Sequence, residues 1–166
     1  MCSIRINSFG DAWDLLSLVG GEEPISDRKR RVTLGAFKIP ADADRRRLRG
    51  LRREISERCV RMLRRNTSSV LVIALDATAL EGRSDLTGFG KDIAGTVFRQ
   101  GRVLSGHDVP VVAVLVRSPY ERELLVNAVA DGRFGSLGGR GWTWAIMRAD
   151  ELAHSSPKTL MIDSWL

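Results

Sequence analysis

The chain has 166 residues, a formal net charge of +6, and only two cysteines and two histidines. Its length suits one domain, able to bury about 70% of the surface its unfolded form exposes, and its Cys and His content excludes a disulfide framework or a Cys/His-rich metal site. No segment approaches the roughly 18 apolar residues of a membrane span, and the opening Met1-Cys-Ser-Ile-Arg-Ile-Asn7 lacks the apolar stretch of a signal peptide; a soluble, cytoplasmic protein without a membrane partner is expected.

Ser8-Phe-Gly-Asp11 reads as a helix start, with Ser8 at the N-cap and Phe9, Ala12, Trp13, Leu16 and Val19 at helical spacing up to Gly20-Gly21. After a turn at Glu22-Glu23-Pro24, residues Val32 to Ile39 read as a strand stopped by Pro40. A long helix is predicted from about Asp42 to Arg65, because Leu48, Leu51, Ile55, Cys59, Met62 and Leu63 form one apolar stripe at 100° per residue. This segment holds ten arginines against four carboxylates. The excess equals the net charge of the protein, so the remainder is neutral. Arg52 projects inside the stripe and is expected to be less exposed than the neighbouring arginines, lying along the stripe's edge or meeting a carboxylate.

Val70 to Asp76 is a continuous apolar run ending in an acid, too short for a helix, and Val109 to Val116 has the same character. Both read as strands buried on two faces, and the helical segment Leu86 to Gln100 between them makes a parallel βαβ unit, with Gly101 as the expected stop. Ser118-Pro-Tyr-Glu121 is a complete helix cap; the helix it opens presents Tyr120, Leu124, Leu125, Ala128 and Val129 on one face. A glycine-rich loop from Phe134 leads to an apolar strand at Trp142 to Met147, where Trp142 and Trp144, two apart, share a face. Asp150 to His154 suits a short helix, and Lys158 to Leu166 an added strand or arm. The sum is a single α/β domain over residues 1–166, with a mixed, largely parallel sheet and helices on both faces.

The order of these elements, together with Pro24-Ile25-Ser26-Asp27 followed by Ala36-Phe37-Lys38 at a strand end, resembles the restriction-endonuclease-like fold of the PD-(D/E)xK nucleases. The resemblance covers roughly residues 8 to 76. It implies that Asp27 and Lys38 are remnants of a catalytic site and that Mg²⁺ is the cofactor if the protein is a nuclease. Ala36 stands where that family has Glu or Asp, so an oxygen ligand for a hard cation is missing; either Glu22, Glu23 or Glu54 supplies a carboxylate from elsewhere, or this is a diverged copy of the fold that does not cut.

Two further features carry chemistry. Asp76 ends its strand at the carboxyl edge of a parallel sheet, where ligands of such sheets gather, and Thr78, Arg117, Ser118 and Tyr120 are expected along the same edge. Asp108 begins its strand and belongs at the opposite edge. The second feature is the solvent face of the basic helix, where Arg45, Arg46, Arg49, Arg53 and Arg64 form a local field for polyanions. DNA or RNA is one partner class for it. An acidic protein, met by a non-catalytic interaction domain or a subunit of a larger assembly, is the other.

Overall fold

The structure is a computed structural model that describes residues 5–10, 31–65, 69–82, 85–106, 108–138 and 141–164. Its centre is a five-stranded sheet of β1 (Arg5–Gly10), β2 (Arg31–Lys38), β3 (Val70–Asp76), β4 (Val111–Val116) and β5 (Trp144–Arg148), ordered as in the chain. Every pairing is parallel. The antiparallel component of the expected mixed sheet is therefore absent among the described strands. Among the described residues four α-helices accompany the sheet: α1 (Arg45–Arg65), α2 (Thr87–Ser105), α3 (Pro119–Ala130) and α4 (Pro157–Asp163).

All seven residues of β3 and all six of β4 are buried, as their unbroken apolar runs require. Alternate residues feed two cores. Val70, Val72, Ala74, Val112 and Val114 pack with Leu125, Val126 and Val129 of α3, Met161 of α4, and Phe134 and Leu137. Leu71, Ile73, Leu75, Ala113 and Leu115 pack with Ile55, Cys59 and Leu63 of α1 and Ile93, Val97 and Phe98 of α2. Each fully buried aliphatic side chain contributes about 1.5–3 kcal/mol relative to exposure, which makes these two strands the main source of stability.

This division has a topological consequence. The strand order advances in one direction throughout, yet the connections β2-α1-β3 and β3-α2-β4 lie on one face and β4-α3-β5 lies on the other. Helices on opposite faces of an unreversed order require crossovers of opposite hand. One hand must then be the left-handed form, which the right-handed strand twist disfavours. The neighbouring strands β3 and β4 consequently send their chains to opposite faces, and a crevice opens between their carboxyl ends.

Several local expectations change. Ser8 to Gly10 belongs to β1, paired in parallel with Leu34 to Ala36 of β2; the ladder to β2 satisfies backbone groups that a cap at Ser8 would otherwise have served, and the remainder of the expected helix, 11–20, lies outside the described residues. Helix α1 starts one residue after Asp44, whose carboxylate accepts from the Arg47 N–H at 2.8 Å, an N-cap. Helix α2 runs through Gly101 instead of stopping there, because Gly101 is a contact point: a Cβ at this position would lie 2.9 Å from Leu63 Cδ1 of α1. The helix ends at Gly106, whose φ of +74° suits a residue without a side chain and whose N–H donates to the Arg102 carbonyl.

The cap at Ser118 forms as expected, its hydroxyl accepting from the Glu121 N–H with Pro119 in the first turn. Tyr120, however, is exposed, and Glu121 and Val126 join the buried face. Trp142 precedes β5 and packs in the core shared with α3, while Trp144 packs on the α1 and α2 side, so the two do not share a face. The segment from Lys158 is helical, not extended. Ser156 caps α4 by accepting from the Thr159 N–H, with Pro157 at the first position, the same signature that opens α3.

Before α2, the Asp85 carboxylate accepts from the Thr87 N–H at 2.9 Å, and this bond, reinforced by the Thr87 side chain, holds the carboxyl below the ordinary aspartate range. A depressed folded value stabilises the protein above the unfolded value, about 3.9, and that contribution is lost as pH falls through the folded value. An NMR titration should therefore give Asp85 a midpoint below that of an ordinary aspartate. In Asp85→Asn the stability difference from the parent should shrink as pH falls through the same window; a midpoint at or above the ordinary value would show the bond does not persist in solution.

Candidate functional site

The crevice at the carboxyl ends of β3 and β4 holds Asp76, 3% exposed. Burying a carboxylate is costly unless it is paired and hydrogen-bonded, and Asp76 is both. Its Oδ1 accepts from the Thr78 backbone N–H at 3.1 Å and hydroxyl at 2.6 Å, and its Oδ2 accepts from Arg122 Nη2 at 2.8 Å. The backbone is equally engaged: the Asp76 carbonyl accepts from the Ile39 N–H and the Val116 carbonyl from the Ala77 N–H. Asp76 thus ties the chain leaving β3 to α3 and to the segment leaving β2.

Lys38 stands opposite Asp76 in the β2–β3 register. Neighbours in register project to the same side, so Lys38 and Arg122 flank the carboxylate on the side facing α3. Lys38 is exposed at the strand end, and Ala36, two residues earlier, is buried in the core. Asp27 lies outside the described residues. Beyond the crevice an ion-pair chain closes the ends of β4 and β5. Arg117 meets Glu121 at 3.5 Å and Asp150 at 3.4 Å, and Arg148 meets Asp150 at 3.5 Å and Glu151 at 3.0 Å. Three carboxylates and two guanidinium groups alternate, so the edge carries little net field.

Of the residues expected at this edge, Thr78, Arg117 and Ser118 are in place and Tyr120 points to solvent. Asp108 sits at the other edge, paired with Arg102 at 3.2 Å. Sequence reasoning missed Arg122, and with it Asp150 and Arg148. The available signal was the need of a buried Asp76 for a cation, which the first turns of the next crossover helix are placed to provide. Among the described residues no group of three or more His, Cys, Asp or Glu side chains is disposed to hold a metal ion.

Helix α1 presents the second candidate. Its apolar stripe faces the sheet as expected, with Ile55, Cys59 and Leu63 buried and Leu48 and Leu51 partly so; burial pushes the Cys59 thiol far up and leaves it unreactive. Arg45, Arg46, Arg49, Arg53 and Arg64 are all exposed. At 100° per residue Arg46, Arg49, Arg53 and Arg64 fall within an arc of about 60°, along about 27 Å of helix at 1.5 Å per residue. No ion pair links any of these five to another described residue.

Other arginines of α1 serve the fold. Arg58 stacks over the Phe37 ring, 5.1 Å from its centroid, a cation–π contact. Arg52, expected to lie along the stripe's edge or meet a carboxylate, pairs with Asp92 of α2 at 3.1 Å while its side chain stays 47% exposed. Comparison with protein-family models, curated proteins and solved structures finds no match.

The Asp76 pair is a test of how the crevice is built. Removing one partner of a buried pair costs about 3–5 kcal/mol, and Arg122, 35% exposed, recovers part of that by hydration. Asp76→Ala should therefore destabilise by about 3 kcal/mol in urea unfolding, and Arg122→Ala, which strands the buried carboxylate, by at least as much. A double variant no worse than either single one would confirm coupling through this contact.

Proposed function

We propose that this protein binds nucleic acid through the solvent face of α1. The observation that supports this reading is the arc of Arg46, Arg49, Arg53 and Arg64, exposed and without ion pairs to other described residues, in a chain whose charge is otherwise balanced. Guanidinium groups match phosphate oxygens in a bidentate way and stay charged at all working pH values, and each phosphate neutralised releases counterions. The simpler reading, a solvated helix face, predicts charges of both signs. Glu54 and Glu57 are the only acids between Arg45 and Arg65; at 100° per residue Glu54 projects about 80° beyond the arc and Glu57 about 20° beyond its edge, leaving four guanidinium groups against one flanking carboxylate.

Geometry limits how this face meets a ligand. Helix α1 lies flat on the sheet with α2 beside it, and packed helices sit about 8–10 Å apart. The pair is then about 20 Å wide, more than the roughly 12 Å major groove that accepts a single helix. Contacts to a duplex are therefore to its phosphate backbone, which positions a partner without reading its sequence. Binding should weaken steeply with salt, and replacing Arg46, Arg49 and Arg53 by Ala should flatten the slope of log affinity against log salt by about two to three, at roughly 0.9 per lost duplex phosphate contact. Absence of binding to any nucleic acid at low salt would reject the reading and turn attention to an acidic protein partner.

The domain is further proposed to be non-catalytic, a diverged relative of the nucleases it resembles. Lys38 has an in-register carboxylate neighbour, but both Asp76 oxygens already accept strong donors from Thr78 and Arg122, and Ala36 offers no replacement. A hard cation held for phosphodiester hydrolysis needs several free oxygens beside a group that positions water. Incubation with plasmid and single-stranded DNA in Mg²⁺ and Mn²⁺ should leave both intact; cleavage that disappears in Lys38→Ala would overturn this proposal.

A further inference from the structure

Between α1 and α2 runs a groove of about 480 Å³, within the range of small-molecule sites. Its floor contains a feature that the fold does not use. The Ser56 hydroxyl is buried, lines this groove and has no hydrogen-bond partner among the described residues, although burying a hydroxyl unpaired costs about 1–3 kcal/mol. Arg53 and Glu57 of α1 and Asp92, Thr96 and Gln100 of α2 complete the walls. The three α2 residues are spaced four apart and so form one line along the helix.

The charges of the groove cancel. Arg52 and Arg53 balance Glu57 and Asp92, so an isolated anion gains nothing by entering. What the walls offer is a mixture of donors and acceptors. Hydroxyls come from Ser56 and Thr96, both an amide donor and a carbonyl from Gln100, and carboxylate oxygens from Glu57 and Asp92. Such a lining suits a neutral planar ligand that carries both kinds of group. Arg53 belongs at once to this groove and to the phosphate-binding arc outside it.

We infer that the α1–α2 groove receives one base of a single-stranded nucleic acid whose phosphates lie along the arginine arc. The inference rests on the nucleic-acid reading above and deepens it by naming the form of the ligand. Bases in a duplex are paired and stacked, whereas a single strand can turn a base out of its path and present its edge to side chains or to the face of a guanidinium. The carboxylates select further, because they accept from an exocyclic amino group. Adenine, cytosine and guanine carry one; thymine and uracil do not.

The experiment measures binding of short single-stranded DNA homo-oligomers of dA, dC and dT by the full chain, at one low salt concentration and across a salt series. Oligo-dA and oligo-dC should bind about tenfold tighter than oligo-dT, as expected for one discriminating base contact. The double variant Glu57→Ala, Asp92→Ala, which removes the carboxylates that accept the amino group, should bring the three within about twofold while the salt slope does not fall below the parent's, since every arginine of the arc is kept. Ser56→Ala, which removes an unpartnered hydroxyl, should fold normally and lose part of the same preference. Equal binding of all three oligomers by the parent, or a preference that survives in the double variant, would overturn the groove assignment and leave the arginine face standing. Failure of every oligomer to bind would overturn both.

Discussion

The structure depends on the burial of β3 and β4 on both faces. A parallel strand with no polar residue before its last position can be stable only between two layers, because either face exposed to water would forfeit the gain from three or four aliphatic side chains. Two helices from consecutive crossovers cover one face. Among the described residues the other is covered by α3 with α4. The unusual change of crossover hand is the geometric result: the sheet keeps advancing in one direction while the connection after β4 crosses on the opposite face from the two before it.

That change of face also determines where polar groups collect. The chains leaving β3 and β4 diverge, and the gap between them is filled by Asp76, 3% exposed, with Arg122 and Thr78 against it. In many α/β proteins such a crevice holds a ligand; here the Asp76 carboxylate is taken up by Arg122 and Thr78, and Asp76 acts as a clasp between three connections. The ion-pair chain from Glu121 to Glu151 seals the neighbouring ends in the same way. The unpaired charge of the described residues lies elsewhere, on a helix whose other side is consumed by the core.

The two faces of α1 are separate for this reason. Its apolar stripe contributes packing, and the surplus arginines centre about 130° away on the helix, where they neither stabilise the core nor find partners among the described residues. Arg52 and Arg58 mark the boundary. They point back toward the fold and are used by it, one against Asp92 and one against Phe37. The outward arginines are left exposed to solvent, and the groove they border is polar because α2 turns Asp92, Thr96 and Gln100 toward it.

The sequence by itself determined what depends on neighbours along the chain. Unbroken apolar runs identified β3 and β4, the 100° stripe identified α1 and its arginine face, and Ser118-Pro119 opened α3; Ser156-Pro157 carried the same capping information for α4, though Lys158 to Leu166 looked extended. Tertiary structure alone decided what depends on distant partners. Ser8 looked like a helix cap until its backbone met β2, and Gly101 looked like a helix end until Leu63 packed against it. Trp142 and Trp144 looked like one face until the strand began between them. Above all, the union of Asp76 with Arg122, of Arg52 with Asp92, and of Ser56 with an open groove depended on which face each crossover took. Local spacing cannot encode that choice, because it is set by which apolar surface is still uncovered when the chain arrives.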